Sequence, residues 1–130
     1  MSEEVNTSHK HRILCTEDDA DTRELLRLLL ELQGFEVTCA EDSEQAIRLA
    51  TTEKFDLYLL DNWLPQITGD LLCQKLREFD STTPILFYSG AATDAEKARA
   101  IASGAQGYLV KPANPEKLIS EILRLISRGI

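Results

Sequence analysis

Short apolar runs alternate with amphipathic stretches along the whole chain. Leu57-Tyr58-Leu59-Leu60 and Ile85-Leu86-Phe87-Tyr88 are continuous runs, as expected of strands buried on both faces of a parallel sheet. Ile13-Leu14-Cys15 and Tyr108-Leu109-Val110 read as two more strands. Phe35, Val37 and Cys39 alternate with Glu36 and Thr38, which predicts a strand with one exposed face at the sheet edge. Between these runs the period changes. From Asp21 to Gln33, Leu25, Leu28, Leu29 and Leu32 recur at i, i+3, i+4 and i+7, with Leu26 and Leu30 widening the stripe. Arg27 and Glu31 pair on the wet side, and Gly34 closes the helix. Asp42 or Ser43 caps a second helix through Ala46, Ile47 and Ala50. Pro65 and Gly69 bound a loop, after which Leu71, Leu72, Leu76 and Phe79 mark a third helix. Thr93-x-x-Glu96 is a capping box for a fourth helix ending at Gly104. That helix is Ala-rich, with Ile101 as its large aliphatic residue, and is expected to dock loosely. Asn114 and Pro115 start a fifth that buries Leu118, Ile122 and Leu125.

Five strands alternating with five helices through short loops imply an α/β fold. Right-handed crossovers then give a parallel sheet covered on both faces. The expected organisation is one domain over residues 11–130 behind a disordered tail, residues 1–10. His9 in that tail and His11 just after it are too isolated to signal a metal site.

Composition narrows the function. A net charge of -8 argues against nucleic acid as a direct partner and suits a cation or a basic surface. No apolar run approaches the roughly 18 residues of a membrane span, and the polar Met1–His11 stretch predicts no signal peptide. Cys15, Cys39 and Cys73 lack a CxxC spacing and are expected to be buried thiols in a reducing, cytoplasmic setting.

The strand ends carry the chemistry. Glu17 and Asp18 follow the first strand, Asp61 the third, Ser89 the fourth and Lys111 the fifth. In a parallel sheet these ends share one edge, where open α/β sheets bind ligands. Three crowded carboxylates call for a cation, and oxygen donors suit Mg²⁺. With Mg²⁺ and Lys111 the pocket is neutral and ready for a phosphoryl group. Lys111 and the Ser89 hydroxyl can hold phosphoryl oxygens, and Asp61 can attack phosphorus as aspartyl-phosphate enzymes do.

From about Arg12 to Arg128 this pattern resembles the response-regulator receiver domains of two-component signalling. The matching residues are the acidic pair Glu17-Asp18, the phosphoacceptor Asp61, the hydroxyl residue Ser89 and the Lys111-Pro112 dipeptide. Pro65 and Gly69 match the loop after the phosphoacceptor, and Tyr108 the aromatic switch position. The resemblance implies a doubly wound, flavodoxin-like sheet in the order 2-1-3-4-5. It also implies Mg²⁺-dependent transfer to Asp61 from a histidine kinase or histidine phosphotransfer protein, and a cis Lys111–Pro112 peptide. Asp18 is then the direct metal ligand and Glu17 the outer one, with Asp61 and the backbone carbonyl of Trp63 completing the set. Ser89 and Tyr108 are the switch. Glu17 departs from the commoner Asp, Trp63 is bulky beside the site, and Ala91 leaves access open.

The expectation is a stand-alone phosphoacceptor and not an enzyme with a substrate of its own. Since the chain ends at Ile130, its output would be a protein contact or onward phosphotransfer, as a monomer or weak dimer without nucleic acid or membrane. Two alternatives are an unphosphorylated interaction module on the same fold and a phosphohydrolase or flavodoxin-type carrier. The acidic Thr16-Glu17-Asp18-Asp19 loop would repel a flavin phosphate, and Trp63 stands where an Asp-x-Asp hydrolase needs its second acid.

Overall fold

The computed structural model describes residues 10–90 and 93–128. Most of the 1–10 tail, including His9, and Ala91 lie outside them. Strands β1 (Arg12–Thr16), β2 (Glu36–Ala40), β3 (Leu57–Leu60), β4 (Ile85–Ser89) and β5 (Gly107–Val110) pair in parallel in the order β2-β1-β3-β4-β5. Helices α1 (Ala20–Leu32), α2 (Ser43–Thr52), α3 (Gly69–Arg77), α4 (Asp94–Ser103) and α5 (Pro115–Arg128) fill the crossovers. β2 is an edge, as its alternation predicts. The core is two clusters, one on each face of the sheet. Ile13, Cys15, Leu57, Leu59 and Leu86 meet α1 and α5 on one face, while Leu14, Tyr58, Leu60, Ile85 and Phe87 meet α2 and α3 on the other. Each fully buried Leu or Ile contributes on the order of 2 kcal/mol.

Two readings of helix phase are corrected. In α1 the buried leucines are Leu26 and Leu30, whereas Leu25 and Leu32 are 67% and 83% exposed and Leu28 is exposed too. With leucine at nearly every position, periodicity fits two phases equally well. Contacts with the loop choose between them: the Arg23 guanidinium reaches back to the carbonyls of Glu17 and Asp18, at 2.9 and 3.3 Å, fixing the rotation of the first turn. In α3, Leu72, Cys73 and Leu76 are buried while Leu71 and Phe79 are exposed. Phe79 lies past the helix end, outside its stripe.

The caps follow the sequence closely. Asp42 caps α2 by accepting from the Gln45 N–H, and Thr93 with Glu96 forms the reciprocal box of α4. Asn114 accepts from the Glu116 N–H at 2.7 Å as α5 begins. Helix α4 buries only Ala100 and Ser103, with Ile101 left exposed, so its hold on the sheet is the weakest.

The loop into β4 is held by Asp80. It accepts from the Tyr58 hydroxyl at 2.6 Å and from the N–H groups of Thr82 and Thr83, each at 3.1 Å. Burial alone would raise the Asp80 carboxyl. These hydrogen bonds outweigh it and hold the pKa at about 2, against an ordinary 3.8. A depressed carboxylate gives stability that is fully present above the unfolded value and lost as pH falls through the folded one. Asp80→Asn is therefore expected to cost roughly 1 kcal/mol at neutral pH, after allowance for solvent screening, and progressively less as pH falls from the ordinary 3.8 through about 2. Urea unfolding of both proteins between about pH 7 and 2 checks this; a gap independent of pH would contradict it.

Candidate active site at the carboxyl edge of the sheet

All five predicted strand-end groups converge. Asp61 ends β3 only 7% exposed, in a backbone position fixed by its N–H donating to the Thr16 carbonyl at 3.2 Å. Glu17 is set by its own N–H donating to the Ala40 carbonyl at 3.0 Å. The Lys111 N–H donates to the Ser89 carbonyl at 2.9 Å, tying the ends of β4 and β5 together, and the Lys111–Pro112 peptide is cis.

Asp61 has each carboxylate oxygen engaged. Oδ1 accepts from the Ser89 hydroxyl at 2.8 Å and from the Trp63 N–H at 3.1 Å. Oδ2 faces Lys111 Nζ at 3.3 Å. The same ammonium lies 2.6 Å from Glu17 Oε1, so Lys111 bridges the two buried acids. Carboxylate oxygens of Glu17, Asp18 and Asp61 come within 4.8 Å of one another, with Asp18 on the solvent side.

The electrostatics follow from burial and crowding. Burial is the largest influence on Glu17 and, with the nearby charge of Asp61, holds its carboxyl above the ordinary value despite the Lys111 hydrogen bond. Burial would lower Lys111, but Glu17 and Asp61 outweigh it and the ammonium is held above its ordinary value. The charged Lys111 thus balances one of three acids and leaves a negative excess. That excess, with hard oxygen donors only, fits a divalent cation such as Mg²⁺.

Asp19 proves to be the N-cap of α1, accepting from the Thr22 N–H at 2.9 Å, and stands outside the acidic cluster. Trp63 reaches the site through its backbone, while its ring is half exposed. Tyr108 stacks on Phe87, with ring centroids 5.5 Å apart. Burial pushes the Tyr108 hydroxyl above its ordinary value, partly offset by a hydrogen bond with Ser89.

Two contributors, Arg23 and Asn62, are not evident from the sequence, and a third, Gly69, stands in it only as a loop residue. Arg23 holds the carbonyls of the acidic loop. Asn62 is buried and donates its N–H to Ser89 Oγ at 3.2 Å. Gly69 is the first residue of α3, where it allows a close approach. A Cβ there would stand 2.5 Å from the Asp61 carbonyl oxygen and 2.7 Å from the Phe87 ring. The spacing of Gly69 after Asp61 was the available signal, but a loop glycine and a packing glycine look alike in sequence. Gly69→Ala is expected to cost about 1–3 kcal/mol, because the nearest atom is backbone and cannot swing aside. A lower urea midpoint at unchanged slope is the expected result; wild-type stability would show that the Asp61 peptide moves freely.

The chain matches the family model described as "Response regulator receiver domain" over residues 13–123. It is 32% identical over 118 residues to the Bacillus subtilis alkaline phosphatase synthesis transcriptional regulatory protein PhoP, covering 91% of this chain and 49% of that protein. With the B. subtilis transcriptional regulatory protein ResD it shares 29% identity over 125 residues, 96% of this chain and 52% of that one. Among solved structures, the CheY-like response regulator receiver domain protein of Methanospirillum hungatei JF-1 superposes with a TM-score of 0.88 at 26% identity, covering 92% of this chain and 96% of that one. The chain spans about half the length of the curated relatives it matches.

These relatives overturn one expectation. The sequence reading excluded nucleic acid, yet the curated relatives are transcriptional regulators by name. A charge of -8 describes the surface of this stretch alone. It carries no information about what the other half of such a regulator touches.

Proposed function

Because the chain belongs to the response-regulator receiver family, the phosphoacceptor modules of two-component signalling, we propose that Asp61 is its phosphoacceptor and that Mg²⁺ assists the transfer. The observation that carries this reading is the bracketing of Asp61. One carboxylate oxygen is held by Ser89 and the other faces Lys111, with Glu17 and Asp18 close enough to share a cation.

Glu17, Asp18 and Asp61, with the Trp63 carbonyl, would hold the ion, which supplies charge to offset the developing phosphoryl negative charge. Among the described residues the Lys111 ammonium is the hydrogen-bond donor that faces Asp61 Oδ2, and in this reading Oδ2 is the attacking atom. Lys111 would release Glu17 in part and follow the phosphoryl oxygens, an exchange of one anion for another at the same ammonium. Ser89 would turn to a phosphoryl oxygen, and the Tyr108 ring would follow its hydroxyl partner inward. No separate substrate is turned over beyond the arrival and loss of the phosphoryl group.

The donor in this reading is the phosphohistidine of a kinase or phosphotransfer protein in a cytoplasmic setting, which the three free thiols suit. Among the described residues no helix is long and apolar enough to cross a membrane. The output is read from the face of α4, β5 and α5, by a protein contact or onward phosphotransfer. The shallow anchoring of α4 makes it the element most easily displaced. Incubation with acetyl phosphate and Mg²⁺ should add about 80 Da to the intact mass, in a form labile to hydroxylamine. A mass unchanged under those conditions would sink the reading.

A further inference from the structure

Cys15 and Cys39 stand directly opposite each other in the parallel register of β1 and β2. Directly paired residues project from the same face of a sheet, and both thiols lie in the apolar cluster under α1 and α5. Neighbouring strands run about 4.8 Å apart, inside the Cα separation of about 4.4–6.8 Å that a disulfide spans. Both residues are free thiols, and their side chains are hydrogen-bonded to each other. Nothing in the phosphoryl chemistry uses them.

The two sulfurs differ in access. Cys15 is sealed in the core, whereas Cys39 is only partly buried and lies on the edge strand, where a small solute reaches it. The hydrogen bond from Cys15 lowers the Cys39 thiol below its ordinary range. Burial opposes this, and Arg27 and Arg23 of α1 reinforce it. A thiolate is the nucleophilic form, so the accessible member of the pair is also the reactive one. Cys73 lies on the opposite face, fully buried, with Sγ 3.5 Å from the Ser103 carbonyl.

We infer that Cys15 and Cys39 form a reversible oxidation site, a dithiol that a hydroperoxide closes into an intramolecular disulfide. The Cys39 thiolate attacks one oxygen of hydrogen peroxide. The S–O bond forms, the O–O bond breaks, and the departing hydroxide is protonated to water. Cys39 is then a sulfenic acid. The Cys15 sulfur attacks Cys39, forming the S–S bond as the S–O bond breaks, and the hydroxyl leaves with the Cys15 proton as a second water. Two thiols are oxidised by two electrons in all, and one peroxide is reduced by two. Directly opposed strand positions hold their Cβ atoms further apart than the roughly 3.8 Å a relaxed disulfide prefers, so the bridge should be easily reduced.

The test uses the full chain, reduced and then treated with a small excess of hydrogen peroxide at neutral pH. The expected product is about 2 Da lighter, returns to the starting mass with dithiothreitol, and links tryptic peptides 13–23 and 28–48. Cys73→Ser should behave as wild type, while Cys39→Ser and Cys15→Ala should form no bridge. Persistence of three alkylatable thiols after peroxide would overturn the assignment. So would a stable gain of about 32 Da on Cys39, or Cys39-linked dimers in place of the internal bridge. The wild-type mass and peptide map decide the matter even if a cysteine variant folds poorly.

Discussion

Asp61→Asn should abolish phosphoryl labelling while leaving the fold intact. The amide keeps the size of the carboxylate and an oxygen to accept from Ser89 and the Trp63 N–H, so the contacts around Oδ1 survive. What it loses is the nucleophilic oxygen and one of three negative charges at the cation site. Labelling by acetyl phosphate with Mg²⁺ should fall on the order of 10²-fold or more, to background, since among the described residues no other acid is bracketed by Ser89 and Lys111. Removing a charge from a crowded acidic cluster also predicts a metal-free variant at least as stable as wild type. Undiminished labelling of a folded Asp61→Asn protein would move the acceptor elsewhere.

Lys111→Ala should upset the charge balance of the metal-free site and destabilise the protein. Lys111 is the shared counter-ion of Glu17 and Asp61, which lie in the site with only 4% and 10% of their side-chain surface exposed. Breaking a buried pair leaves an uncompensated charge and costs about 3–5 kcal/mol at full burial. Lys111 itself is 21% exposed, so roughly 2 kcal/mol is the better expectation, a fall of roughly 8 °C in Tm. Mg²⁺ should then recover more stability in Lys111→Ala than in wild type, because it supplies the missing positive charge. Thermal unfolding with and without Mg²⁺ makes the comparison. Equal Mg²⁺ shifts in the two proteins would mean that the lysine and the ion do not compensate the same acids.

The chain's period changes were enough to read the sheet and its five crossovers, because strands buried on both faces leave an unambiguous mark. Strand ends were equally legible. An apolar run that stops at Asp61, Ser89 or Lys111 states both where the strand ends and what it presents there. Helix rotation was not. Between Leu25 and Leu30 the sequence offers leucine almost all round, and the deciding contact is Arg23 to the carbonyls of Glu17 and Asp18, a backbone interaction with no sequence signature. Asn62 went unseen, and Gly69 was legible only as a loop residue, for a related reason: each acts through main-chain proximity to the site, and side-chain patterns do not record that. The exclusion of nucleic acid failed because net charge is a property of the stretch in hand, whereas the curated relatives are about twice its length.

Ser89 accepts from the Asn62 N–H and gives its hydrogen to Asp61. A hydroxyl has a single hydrogen to give. It can go to the carboxylate or to an incoming phosphoryl oxygen, and no half-measure satisfies both. In the proposed reading the choice is exclusive, so the signal passed to Tyr108 would be two-valued. Graded input to this protein would then be carried by the fraction of molecules in each state, and not by how far any one molecule has moved.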